Sequence, residues 1–198
     1  MPSPIGHALG GLAAAWSADL VPGDRAWRAV PESASWFRRA GGGLTLTCLA
    51  LGALADVDLL FTTHRTVTHS IGAVALVGVL AAAVAATAQR PVARVALMCA
   101  AAYATHLVLD WLAVDVSRPR GIQALWPFSH EWFISGLDLF GPTERRHLWS
   151  VAALLTNVKA VAGELAMLGP IVVALWLVRV KTLARLPPEM ARGDHAAK

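Results

Sequence analysis

Seven residues in the first 110 positions carry chemistry that an apolar chain has no structural need for: His7, Asp56, Asp58, His64, His69, His106 and Asp110. Four imidazoles and three carboxylates make a nitrogen and oxygen donor set suited to zinc, with manganese or iron as alternatives. A tetrahedral zinc takes about four such ligands. Seven donors therefore correspond to two divalent ions, or to one ion with a substantial surrounding layer. Spacing separates the roles. His106 and Asp110 are four apart, which puts both on one helix face. Asp56 and Asp58 are two apart and point nearly opposite ways from a regular helix. Both reach one ion only if the helix unwinds there; otherwise one of them orients a histidine. His64 and His69 are five apart and converge only through the intervening turn. Thr66, Thr68 and Ser70 offer hydrogen bonds or a helix cap around that turn.

The elements that must position these residues follow from composition. Of 198 residues, 56% are hydrophobic and 15% charged, and the mean hydropathy is +0.54. Soluble domains carry about 25% charged residues. A disordered chain, a disulfide-stapled secreted scaffold and a collagen-like chain are excluded, and an integral membrane protein is left. One membrane crossing takes ~20 mostly apolar residues. Apolar stretches at 5–21, 44–61, 70–88, 95–112 and 160–178 predict an all-α bundle of about five transmembrane helices in a single domain, 1–198. The first stretch has no charged residue before Asp19 and so lacks the basic region of a cleavable signal peptide. The 114–150 stretch holds Pro119, Pro127 and Pro142 with Trp126, Phe128, Trp132, Phe133 and Phe140. It reads as an interfacial aromatic loop, and 186–198 reads as a polar C-terminal tail. Cys48 and Cys99 lie in apolar runs and read as small buried hydrophobes.

The net charge of +4 does not point to nucleic acid, because the basic residues stand in short clusters beside apolar spans. Alternating spans put eleven Lys and Arg on one side of the membrane and six on the other. The richer side is expected to be cytoplasmic, with the C-terminus there and the 114–150 loop outside. In this topology His7 opens the first span, and Asp56 and Asp58 close the second. His64 and His69 lie in the connection to the third, and His106 and Asp110 close the fourth. All seven fall at the outer edge of the bundle. Ionisable groups at membrane depth cost about 2.5–3.5 kcal/mol each on insertion scales, so a chain keeps them where they pair or hold an ion. Within the fifth segment, Lys159 and Glu164 are expected to pair locally.

Taken in order, Gly6-His7-Ala8-Leu9-Gly10-Gly11, Ala55-Asp56-Val57-Asp58, His64-Arg65-Thr66-Val67-Thr68-His69-Ser70, His106-Leu107-Val108-Leu109-Asp110 and Gly121 with Trp126-Pro127 resemble a bacterial family. It is the family of membrane-bound metal-dependent hydrolases of the LexA-binding, inner-membrane-associated type, and the likeness spans roughly residues 5 to 130. The resemblance implies an inner-membrane protein with metal-dependent hydrolytic activity, and it carries the same seven positions over as the site. The expected mechanism is attack of metal-activated water on an ester or phosphoester of a lipidic substrate. In it Asp58 serves as general base, and Arg65, with Arg120, faces an anionic group. Membrane lipids are the expected partners. Two other classes fit the same residues: a transporter of metal ions or protons, and a membrane scaffold that uses the cluster for structure alone.

Overall fold

In the computed structural model, residues 1–23, 25–60, 64–145 and 147–186 are described. The polar tail from 187 onward and Arg146 lie outside them. The fold is all-helical: α1 (Pro4–Leu20), a short α2 (Trp36–Ala40), α3 (Gly42–Leu54), α4 (Ile71–Thr87), α5 (Val92–Leu112) and α6 (Val151–Ala184). Among the described residues there are no strands, only two isolated bridges in the long loop.

Helix α1 is the hub and packs on α3, α5 and α6, while α4 packs on α5. The close approach of α1 to α3 depends on two glycines. A Cβ on Gly52 would lie 2.4 Å from the His7 carbonyl oxygen, and one on Gly11 would lie 2.3 Å from the Cys48 carbonyl oxygen. Small residues at helix crossings are how membrane bundles gain packing contacts. The buried core between these helices is made of small side chains, including Ala15, Cys48, Cys99 and Ala102. Both cysteines are free and buried, as their apolar setting predicts.

Leu76, Val79, Leu80 and Val84 on α4 and Leu154, Val158, Ile171, Val173 and Leu177 on α6 are all exposed. Such a surface is stable against hydrocarbon and not against water. The 34 residues of α6 give a length of about 51 Å at 1.5 Å per residue, well beyond the 160–178 expected. Residues 151–159 fall in neither the expected loop nor the expected span. In fact Ser150 caps the helix by accepting from Ala153 N–H, and the Thr156 hydroxyl bonds back to the Ala152 carbonyl. Nor does Glu164 pair with Lys159. It is buried and accepts from Ser3 N–H at 2.6 Å and from the Ser3 hydroxyl, tying α6 to the start of α1.

The 114–150 loop folds over the ends of α4 and α5. Ile71 N–H and Gly72 N–H donate to the Ala124 and Trp126 carbonyls, and Ser135 N–H and Leu139 N–H to those of Trp111 and Leu112. Its first turn is organised by Asp115, whose carboxylate accepts from Arg65 Nη1, Ser117 N–H and Gly121 N–H. Burial pushes this carboxyl up, but the Ser117 and Gly121 hydrogen bonds and the Arg65 charge outweigh it and hold it below its ordinary value. A depressed folded pKa stabilises the loop above the unfolded value of about 3.9 and loses that contribution as pH falls through the folded one. Protection of the loop from proteolysis is therefore expected to be level from pH 7 to about 5 and to fall below about 4. Asp115→Asn should remove that dependence.

Candidate metal centre

Each of the seven residues reaches the same place by its own local route. His7 sits one turn into α1, where Ser3 caps the helix and Gly6 and Gly10 keep that face narrow. Beyond Leu54 the α3 helix tightens into 3-10 turns over Ala55–Leu60. That departure from α geometry lets Asp56 and Asp58 address the same neighbour. His69 ends a second 3-10 turn, and Ser70 then caps α4. His106 and Asp110 face inward together from the last turns of α5.

Donor atoms of four of these residues approach one another to between 3.1 and 3.8 Å. His69 Nε2 lies 3.1 Å from His106 Nε2 and 3.3 Å from Asp110 Oδ2, and His106 Nε2 lies 3.4 Å from that same oxygen. Asp56 Oδ1 stands 3.8 and 3.7 Å from the two imidazole nitrogens. Two donors each 2.0–2.1 Å from a tetrahedral zinc are about 3.3 Å apart. These atoms thus have the edge lengths of a coordination shell. The outward-facing nitrogens are tied back as metal ligands require. His106 Nδ1 bonds the Gly52 carbonyl at 2.8 Å, and His69 Nδ1 faces Asp58 Oδ2 at 3.2 Å. His7 stacks on His106 with ring centroids 3.6 Å apart, and its Nε2 is 3.4 Å from Asp110 Oδ1.

Two groups of donor atoms, Asp56 with Asp58, His64 and His69, and His7 with His106 and Asp110, each lie within 4.8 Å of one another. The contacts of His69 to Asp110 and His106 join them into one cluster.

The donor set fits a cation on a direct test. His7 Nδ1 and Nε2, Asp56 Oδ1, His64 Nε2 and both Asp110 oxygens are buried without a hydrogen-bond partner. Desolvated polar atoms left in this state are costly, and here they belong to residues of one cluster. The electrostatics agree. Burial lowers the pKa of His69, but the facing carboxylates of Asp110, Asp56 and Asp58 outweigh it and push the value up to about 10. The cluster favours positive charge at its centre.

Asp58 and Arg65, expected as base and as partner of an anionic group, are both engaged by neighbouring groups. Asp58 Oδ1 is 2.5 Å from His64 Nδ1, and Oδ2 accepts from Arg65 N–H at 3.0 Å and from the Thr68 hydroxyl at 2.5 Å. Both oxygens of this carboxylate are thus occupied, and it faces His64 and His69. Arg65 donates its guanidinium to Asp115 and to the Pro119 carbonyl at 3.1 Å, away from the donor cluster. Arg120 is exposed, and none of the site's ion pairs includes it. Conversely, Arg145 reaches Asp56 Oδ2 with Nη2 at 3.4 Å. It is delivered by the far end of the loop, where Asn157 on α6 holds Glu144 through bonds of 2.8 and 2.9 Å. No spacing pattern links positions 56 and 145, and Arg145 is one of four arginines in the 114–150 loop, with nothing to single it out. Beside Asp56 and Arg145 opens an apolar cavity of about 680 Å³, walled by Ile5, Ala53, Val57, Leu148 and Val161.

A helical bundle with a lipid-facing surface and a buried His/Asp cluster at one end defines a membrane protein built around a candidate metal centre. The chain belongs to the YdjM inner membrane protein family, whose model matches residues 1–185. No curated protein and no solved structure matches it.

Proposed function

We propose that this protein is a membrane-embedded, metal-dependent hydrolase acting on an ester or phosphoester of an amphiphilic, lipid-like substrate. The observation that carries the reading is the convergence of Asp56, His69, His106 and Asp110, with Asp56 Oδ1 and both Asp110 oxygens unpartnered, beside an apolar cavity. These four residues would hold one divalent ion, zinc first by the donor set. When bound, such an ion supplies Lewis acidity and lowers the pKa of water from 15.7 toward about 7.

The remaining residues divide the other tasks. Asp58 fixes His64 through Nδ1 and leaves Nε2 free, on a ring with 22% side-chain exposure at the rim of the cluster. An imidazole positioned by a carboxylate is the usual arrangement for moving a proton. Arg145 offers charge-assisted donors to an anionic group of the substrate. The apolar cavity next to it suits an acyl or isoprenoid chain. The site faces outward and the C-terminus is cytoplasmic, a placement supported by the excess of Lys and Arg at the opposite end of the bundle.

Purification of the full-length chain without chelator, followed by metal analysis and assay against short-chain phospholipids and phosphomonoesters, tests the reading. About one divalent ion per chain is expected. His64→Gln is expected to keep the metal and to lower turnover by about a hundredfold or more, the usual worth of a positioned proton-transfer group. Folded wild-type protein without metal would favour the scaffold. Metal-loaded protein that hydrolyses nothing but carries the ion into vesicles would favour transport.

A further inference from the structure

A second concentration of buried charge lies at the other end of the bundle, where α1, α4 and α6 finish and α3 and α5 begin. Asp19, on the last turn of α1, is fully buried. Its Oδ1 accepts from Arg28 Nε at 2.9 Å, and its Oδ2 from Arg28 Nη2 at 2.9 Å and Arg179 Nε at 2.6 Å. Arg28 also donates to the Gly41 carbonyl at 2.7 Å and to Thr45 Oγ1 at 2.9 Å. Among the described residues, two buried guanidiniums thus share one carboxylate. Within the ion pairs of the described residues one positive charge exceeds the single carboxylate, in an interior where an unpaired ion is costly.

That surplus points somewhere. Arg179 is 1% exposed and gives Nη1 to the Arg39 carbonyl, yet its Nη2 has no partner. It lines a cavity of about 460 Å³ together with Arg28, Arg38, Arg90 and the backbone of Gly41–Gly43. Gly41, at φ 111°, begins α3 without any side-chain cap, so the first N–H groups of that helix are unsatisfied at the cavity. The space in front of them is clear, since a Cβ on Gly42 or Gly43 would meet nothing within 4 Å. The opposite wall is apolar, formed by Val84, Ala85 and Val95. The exposed Glu32 lines an adjoining small groove with Arg39 and Arg179.

We propose that this cavity is an anion site for a phosphate group, received by Arg179, Arg38, Arg90 and the start of α3. Planar guanidiniums grip phosphate oxygens in pairs, and a basic pocket between membrane helices suits the headgroup of an anionic phospholipid. The apolar wall gives the glycerol and acyl side of such a lipid a place to lie. The site is independent of the metal centre and of any reaction there.

The test uses full-length protein washed in mild detergent, with thermal unfolding measured against added dioctanoyl phosphatidylglycerol, inorganic phosphate or uncharged dioctanoylglycerol. Phosphatidylglycerol is expected to raise the melting temperature saturably, and dioctanoylglycerol is not. The double variant R38Q/R90Q replaces two exposed rim residues and leaves the Asp19 pairs intact, so it keeps the fold. It is expected to need about tenfold more lipid for half-maximal protection, or more, having lost two charge-assisted contacts. Equal protection by inorganic phosphate, with the same loss in the variant, supports the site and makes free phosphate its ligand. Protection by neither phosphate-bearing compound, equal protection by dioctanoylglycerol, or unchanged binding in R38Q/R90Q overturns the proposal.

Discussion

Asp110→Asn is expected to purify as a folded membrane protein with less than about a tenth of the wild-type metal content, because losing even an indirect partner of a ligand costs ~10–100-fold in affinity. The substitution keeps shape and volume while removing one negative charge from the centre of the cluster. Asp110 stands at the crossing of three imidazoles: Oδ1 is 3.4 Å from His7, and Oδ2 is 3.3 and 3.4 Å from His69 and His106. No other carboxylate among the described residues faces all three. Metal analysis of variant and wild type, paired with circular dichroism, separates lost ligation from lost fold. Wild-type metal content in Asp110→Asn would rule this carboxylate out as a ligand and break the coordination set proposed around it.

Gly52→Ala is expected to damage fold and site together. The new Cβ would stand 2.4 Å from the His7 carbonyl oxygen and within 3.0 Å of Gly11 backbone atoms. Both neighbours are main chain, so neither can swing aside as a side chain would. Overpacking of this kind typically costs about 1–3 kcal/mol, and here relief requires α1 to move off α3. That movement displaces His7 and disturbs the Gly52 carbonyl that holds His106 Nδ1 at 2.8 Å. A lowered melting temperature in detergent and a reduced metal content should therefore appear in one variant. Gly163→Ala is the control. It lies inside α6 with nothing within 4 Å of its added Cβ, and Ala is about 1 kcal/mol better than Gly in a helix interior. Its stability should be unchanged or higher.

The contrast between those two glycines shows how far the chain could be read before it was folded. Both are glycines within apolar helices, and only the neighbouring backbone tells them apart. The same holds for the acids. Asp56 and Asp58 were recognisable as donors, but their shared access to His69 depends on the 3-10 turn at Ala55–Leu60. Glu164 looked like a local partner of Lys159, whereas α6 presents it to Ser3, 161 positions away.

Periodicity, hydropathy and charge pattern by themselves determined that this is a helical membrane protein, where most of its helices run, and that seven His and Asp residues share one end. Those properties depend on local sequence and on the alternation of spans, which any lipid-crossing chain must obey. The tertiary structure alone decided which donor atoms converge, that Asp58 faces both His64 and His69, that Arg145 joins Asp56, and that Asp19 binds two arginines from opposite halves of the chain. These are contacts between residues far apart in sequence, set by how closely helices can approach, and side-chain spacing along a chain carries no record of that distance.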